Sequence, residues 1–160
     1  MRSQLNLGVS GSNGRMPIEL REFTPADYDA AIALWAGTEG IVLRDVDARG
    51  PVLDYLARNR GLSAVALDNG AVVGAVLCGT DGRRGYLQHL AVAGSHRRRG
   101  VGRALVERCL AALSDRGVDK CHLMVLPDNA AARAFWQRLG WHERPDVLVM
   151  SHLKAGRVTA

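Results

Sequence analysis

Residues 85–126 restrict the folds open to this chain more than any other stretch. An apolar run, GYLQHLAV (Gly85–Val92), is followed by SHRRRGVGRALV, and a second apolar run, CHLMVL (Cys121–Leu126), closes the segment. Between the two runs Val101, Leu105, Cys109 and Leu113 recur at four-residue spacing, the period of an amphipathic helix from Gly100 to about Arg116, and Gly117 stops it. A strand–helix–strand crossover within one sheet is right-handed and makes its two strands parallel. The second strand is apolar throughout, so it reads as covered on both faces.

The rest of the chain supplies the other elements. IELREF (Ile18–Phe23) alternates as a strand, and Thr24-Pro25 starts a helix with Ala31, Leu34 and Trp35 on its apolar face. A loop over 37–50 leads to a second short helix from Pro51, with Val52, Leu53 and Leu56 on one side. Leu62–Leu67 and Ala71–Cys78 flank Asp68-Asn69-Gly70 and read as a hairpin. After the crossover, Asp128 or Asn129 caps a helix carrying Ala131, Phe135 and Leu139, which Gly140 closes, and Asp146–Ser151 reads as a final strand. The fold class that satisfies this order is α/β (α+β): a mixed, mostly antiparallel sheet with helices on both faces. Residues 17–154 form a single domain in this reading, between a tail at 1–16, rich in Gly, Ser and Asn, and a C-terminal tail at 155–160.

Composition removes several classes of function. At 160 residues, 48% hydrophobic and 23% charged, the chain has the make-up of a soluble globular protein. No apolar run approaches the roughly 20 residues that span a bilayer, and the start lacks the apolar core of a secretory signal. Three cysteines (Cys78, Cys109, Cys121) form no C-x-x-C and suit reduced thiols in the cytoplasm. Cys121 and His122 are neighbours facing opposite sides of a strand, so no metal cluster is expected. The net charge of +5 favours an anionic partner.

Arg97-Arg98-Arg99-Gly100-Val101-Gly102 gives that charge a place, between a buried strand and a helix start. The first turn of a helix presents unpaired N–H groups and the positive end of its dipole. Glycines let a ligand approach the backbone, and arginines add forked donors matched to phosphate oxygens. The expected ligand is a pyrophosphate. Nucleic acid is the rival anion, but three Trp, three Tyr and two Phe supply no interleaved basic–aromatic surface, and no nucleic-acid partner is expected.

From about Pro17 to Met150 the chain resembles the GNAT superfamily of acyl-CoA-dependent N-acetyltransferases. HLAVAGSHRRRGVGRALV is similar to that family's strand, pyrophosphate loop and helix, and PDNAAARAFWQRLGW to its following helix. The wording HLAV, FW, GW and VLVMS is nearest to small bacterial members of unassigned substrate. The resemblance implies a central parallel strand pair, Leu87–Val92 and Cys121–Leu126, that splays to admit the acyl donor, acetyl-CoA. It implies that Leu90, Ala91 and Val92 line the thioester and pantetheine arm, with the Leu90 N–H as oxyanion donor. Arg97, Arg98, Arg99, Gly100, Val101 and Gly102 would hold the pyrophosphate, and Asn129, Ala132, Phe135 and Trp136 would flank the cofactor from the later helix. It also implies an amine acceptor, either a small molecule or a peptide or protein amine, no membrane partner, and compatibility with a homodimer.

Two positions depart from the family pattern. Trp136 stands seven residues after Asn129, where relatives place a tyrosine that acts as acid toward the sulfur. An indole N–H does not release its proton near neutral pH. Losing that acid costs about 2 kcal/mol, since a free thiol ionises only about 1.5 units above pH 7. Met124 stands five residues before Asn129, where many relatives carry a carboxylate base. His122, on the face of Met124, is one replacement and a relaying water another; Tyr86 and Gln88 share a face with Leu90, and His89 faces the other way as a core histidine. Glu39, Asp45 and Asp47 make the loop between the first helices acidic, which suits a cationic amine or a plain solvated loop; Asp81 and Asp146 are further acidic positions. A protein that binds acyl-CoA without turnover is the alternative within the same fold.

Overall fold

The structure is a computed structural model that describes residues 17–154. The expected tails at 1–16 and 155–160 lie outside the described residues. The chain divides into two compact units with the boundary between Met124 and Val125.

The first unit is built on one five-stranded sheet of order β1-β2-β3-β4-β5. Its strands are β1 (Glu19–Glu22), β2 (Ala64–Asp68), β3 (Ala71–Thr80), β4 (Gly85–Val92) and β5 (Cys121–His122). The first three pairings are antiparallel and β4·β5 is parallel, as the crossover requires. The β2–β3 turn forms because Asn69 and Gly70 both take positive φ, 50° and 81°, the backbone that matches the twist of a two-residue hairpin.

Three helices cover the two faces of this sheet. α1 (Tyr28–Ala36) and α2 (Arg49–Arg58) lie on one side, α3 (Val101–Ser114) on the other. Alternation along β3 sets which residue meets which helix. Ala75 and Leu77 join Phe23, Trp35, Val52 and Leu56 in the core under α1 and α2. Gly74 faces Val101 and Leu105 of α3. Trp35, Phe23, Leu105 and Leu113 are fully buried, and each contributes roughly 1.5–3 kcal/mol of transfer free energy. α1 is entered through a 3-10 turn (Pro25–Asp27) after the expected Thr24. α2 begins at Arg49, two residues before Pro51, which its first turn tolerates because that N–H has no helical partner.

The splay of the parallel pair is visible in the ladder. Only Gly85↔Cys121 and Tyr86↔His122 are paired. β4 runs on to Val92 with no strand on that edge among the described residues. The sequence reading put β5 over Cys121–Leu126 and covered it on both faces; the strand ends at His122, and Met124 and Leu126 are exposed. Apolar composition marks a segment that can pair, whereas pairing itself needs the segment to follow a neighbouring edge, and this one follows β4 for two residues only.

In the second unit α4 (Ala130–Arg138) starts at Asn129, whose side-chain oxygen accepts from the Ala132 N–H at 3.0 Å. Trp136 stacks edge-on against both Phe135 and Trp141, with ring centroids 5.1 Å apart in each pair. Arg133 and Glu143 form an ion pair at 2.8 Å. The expected strand over Asp146–Ser151 is absent: Val147–Met150 make no ladder, and Leu148 and Met150 are about nine-tenths exposed. Its alternating β-branched pattern states which face a strand would bury, and a strand without a partner edge is not stable in water.

Candidate active site

The loop entering α3 has the backbone of an anion cradle. Arg97 is extended, Arg98 is left-handed at φ 57°, and Gly100 is left-handed at φ 79°. Successive N–H groups in such alternating conformations converge on one concavity. Gly100 is the N-cap of α3 and no side chain caps the helix, so its first N–H groups stay open to a ligand. Arg97, Arg98 and Arg99 are exposed around this point, and Arg97 is anchored by its Nε donating to the Val92 carbonyl at 3.1 Å. Val101 is buried and pins the helix start to the sheet. Below the loop His96 is buried, with Nε2 at 2.7 Å from Asp68 and Nδ1 at 2.8 Å from the Ser95 hydroxyl. The 3-10 turn Gly94–His96 is thereby tied to the end of β2.

β4 breaks its alternation where the chemistry is expected. Leu77 pairs with Gln88 and Ala75 with Ala91, so His89 and Leu90 together oppose Val76: a β-bulge. His89 sits at φ 53°, a conformation that bulges of this kind usually give to glycine. The bulge corrects the sequence reading of this strand. Plain alternation sends His89 away from Tyr86 and Gln88, whereas its ring lies on the α1 side, 5.3 Å from the Trp35 ring. Its Nε2 is 2.8 Å from Asp47 Oδ1. Asp47 is accordingly not a solvated loop residue: it is buried, Oδ2 accepts the Arg44 N–H at 2.8 Å, and its main-chain oxygen accepts the Tyr28 hydroxyl at 2.8 Å. Glu39 and Asp45 of the same loop are exposed.

Tyr86 and His122 are ladder partners at the start of the splay, with rings 6.0 Å apart. The Tyr86 hydroxyl donates to Asp81 Oδ2 at 3.3 Å. Desolvation and the Asp81 charge push the Tyr86 phenol above its usual range, so it stays protonated and serves as a donor. Asp81 is held below the usual carboxylate range by the Arg84 and Arg83 amides, at 2.7 and 2.8 Å, which makes it a turn-former. Asp146 pairs with Arg144 at 2.6 Å. Burial pushes the Cys121 thiol up to about 12, so it is no nucleophile near neutral pH. Met124 is three-quarters exposed and carries no titratable group. Asn129, Ala132, Phe135 and Trp136 all belong to the second unit; the Asn129 oxygen is spent on the helix cap, leaving its NH2 for an outside acceptor.

The strand, bulge, arginine loop and uncapped helix therefore occur in one continuous stretch from Gly85 to Ser114. Residues 26–141 match the acetyltransferase (GNAT) family. The chain belongs to this family. An acetyltransferase from Pectobacterium atrosepticum is 37% identical over 76% of this chain and 86% of its own length. Among solved structures, the GNAT fold of this chain is similar to the PaiA N-acetyltransferase from Thermoplasma acidophilum in complex with coenzyme A. There the TM-score is 0.68 at 16% identity, covering 78% of this chain and 89% of that one. It is similar also to AAC(6')-Iy in complex with a bisubstrate analogue, CoA-S-monomethyl-acetylneamine, with a TM-score of 0.68 at 19% identity, covering 87% of this chain and 100% of that one.

In this GNAT chain the arginine–glycine loop was legible in the sequence, because glycines and arginines before a helix are a local pattern. The Asp47–His89 pair was not, since its members are 42 residues apart. One signal existed: Gln88 and His89 are consecutive polar residues in an apolar strand, which plain alternation cannot place on one face.

Proposed function

We propose that this chain is an N-acetyltransferase that moves the acetyl group of acetyl-CoA to a primary amine by direct attack in a ternary complex. The observation that carries this reading is the start of α3: uncapped, entered through left-handed Arg98 and Gly100, and ringed by three exposed arginines. Those residues fit a pyrophosphate, which the N–H groups and the helix dipole would hold while the guanidinium groups clamp its oxygens. The Leu90 N–H would take the oxyanion, because it lies at the bulge on the stretch of β4 that has no outer strand. Ala91 and Val92 would line the pantetheine arm. The coenzyme A complex of the PaiA protein and the bisubstrate analogue bound to AAC(6')-Iy support the donor and the ternary geometry. A family match that runs across both units supports reading 17–154 as one domain.

A second reading, an acyl-CoA sensor without turnover, is favoured by Met124 and Trp136 standing where relatives carry base and acid. Acetyl-CoA supplied with a panel of polyamines, amino acids, aminoglycosides and peptides, with free thiol as the readout, separates the two. Amine-dependent thiol release on at least one acceptor is expected. Acetyl-CoA binding without release on any of them would leave the sensor.

A further inference from the structure

An amine acceptor arrives protonated, since a lysine-like amine has a pKa of about 10.4, so the site needs a group that collects its proton. His122 and Tyr86 are the residues of the sequence reading, but the Tyr86 hydroxyl is committed to Asp81 and neither is oriented by a buried carboxylate. A different cluster has those properties. Asp47 is buried and held at three points: its Oδ2 by the Arg44 N–H, its main-chain oxygen by the Tyr28 hydroxyl, and its Oδ1 by His89 Nε2. This fixes the ring: with Nε2–H donating to the Asp47 carboxylate, Nδ1 is the lone-pair nitrogen. Nδ1 has no partner among the described residues, and about one-fifth of the His89 side chain is open.

Two further observations point the same way. His89 adopts left-handed backbone, a strained conformation for a non-glycine residue that clusters at functional sites. The Trp35 Nε1 beside the His89 ring is buried with no acceptor among the described residues, an unmet donor in the same cluster.

We propose that the His89–Asp47 pair is the general base of this enzyme, seated in the β4 bulge on the α1 side of the sheet. The inference rests on the acetyltransferase reading above. In the step it serves, the acceptor ammonium first gives one proton through His89 Nδ1 to solvent, and the freed amine nitrogen then bonds to the thioester carbon while the Leu90 N–H receives the oxyanion. The surplus proton on nitrogen passes to His89 Nδ1, and Asp47 stabilises the imidazolium. Collapse breaks the carbon–sulfur bond, the thiolate leaves, and the proton returns to it through solvent. The balance is R–NH2 plus acetyl-thioester to R–NH-acetyl plus thiol, with no other reactant.

The test is the pH dependence of kcat/KM for the best acceptor of the panel. The groups facing His89 are Asp47 from the loop before α2, Tyr28 from α1 through the Asp47 carbonyl, and Trp35, which does not titrate. The unmodified chain should show an acid limb, with kcat/KM falling as the pH is lowered. His89→Gln and His89→Asn, the latter suited to left-handed backbone, should lower kcat about 100-fold or more and abolish that acid limb. Asp47→Asn should also lower kcat, because the imidazolium loses the carboxylate that orients and stabilises it. His122→Gln should leave the limb in place, and every variant should keep its thermal shift with acetyl-CoA. His89 variants that bind acetyl-CoA and retain the acid limb, or a limb lost in His122→Gln instead, would overturn the proposal. Absence of turnover by the unmodified chain on every amine would instead defeat the acetyltransferase reading and the base with it.

Discussion

Asp27 shows how much one side chain organises at the edge of the sheet. Burial alone would raise its carboxyl, but Arg21, at 2.7 and 2.8 Å, and the Thr24 N–H and hydroxyl hold it below the usual carboxylate range. One residue thus joins β1 to the turn that starts α1. A carboxyl whose folded pKa is depressed contributes stability that is present above its unfolded pKa and lost as pH falls through the folded value. Asp27→Asn should therefore lower stability by about 1–2 kcal/mol at pH 7, the modest end for charged hydrogen bonds because Arg21 is partly exposed. The difference should shrink below pH 4, as denaturant melts at pH 7 and pH 3 would show.

At the scale of elements, the contact of α3 with β3 sets the position of the cofactor loop. Gly74 on β3 has no side chain because α3 occupies the space: a Cβ there would lie 2.9 Å from Leu105 Cδ1 and 3.2 Å from Val101 Cγ1. Val101 is the first residue of the helix that the arginine–glycine loop enters. Gly74→Val should cost about 1–3 kcal/mol of stability through overpacking. It should also weaken acetyl-CoA binding, since α3 must move to admit the side chain. Titration calorimetry on the folded variant checks the second effect, and unchanged affinity would show that the loop is positioned by other contacts.

At the scale of the whole molecule, the proposed function has acetyl-CoA bind the folded chain alone, so it should stabilise the fold. A ligand at about 100 times its Kd adds about 2.7 kcal/mol. For a domain of this length that raises Tm by roughly 5–10 °C. Gly100→Val forces a β-branched residue into left-handed backbone, at a cost of about 1–2 kcal/mol, and closes the cradle. Its thermal shift should fall below 2 °C by roughly the P-loop logic of lost N–H donors. A full shift in that variant, followed by differential scanning fluorimetry, would place the phosphates elsewhere.

The amino-acid sequence by itself determined the crossover, the parallel β4–β5 pair, the hairpin at Asn69-Gly70, the Asn129 cap and the arginine–glycine loop. Each is a local pattern, set by side-chain period, turn chemistry or helix-end chemistry within a few residues. Tertiary structure decided the rest. Whether Cys121–Leu126 and Asp146–Ser151 pair depends on an edge contributed by other parts of the chain, and those apolar runs pair over two residues and over none. The bulge at His89-Leu90 depends on the register of β3 against β4, and one extra residue there turns His89 toward Asp47. Long-range register carries no local signature, because a side chain's face is fixed only when its strand is paired. That is why the residues proposed to grip the phosphates could be read from the sequence, while the pair proposed to collect the proton emerged from the fold.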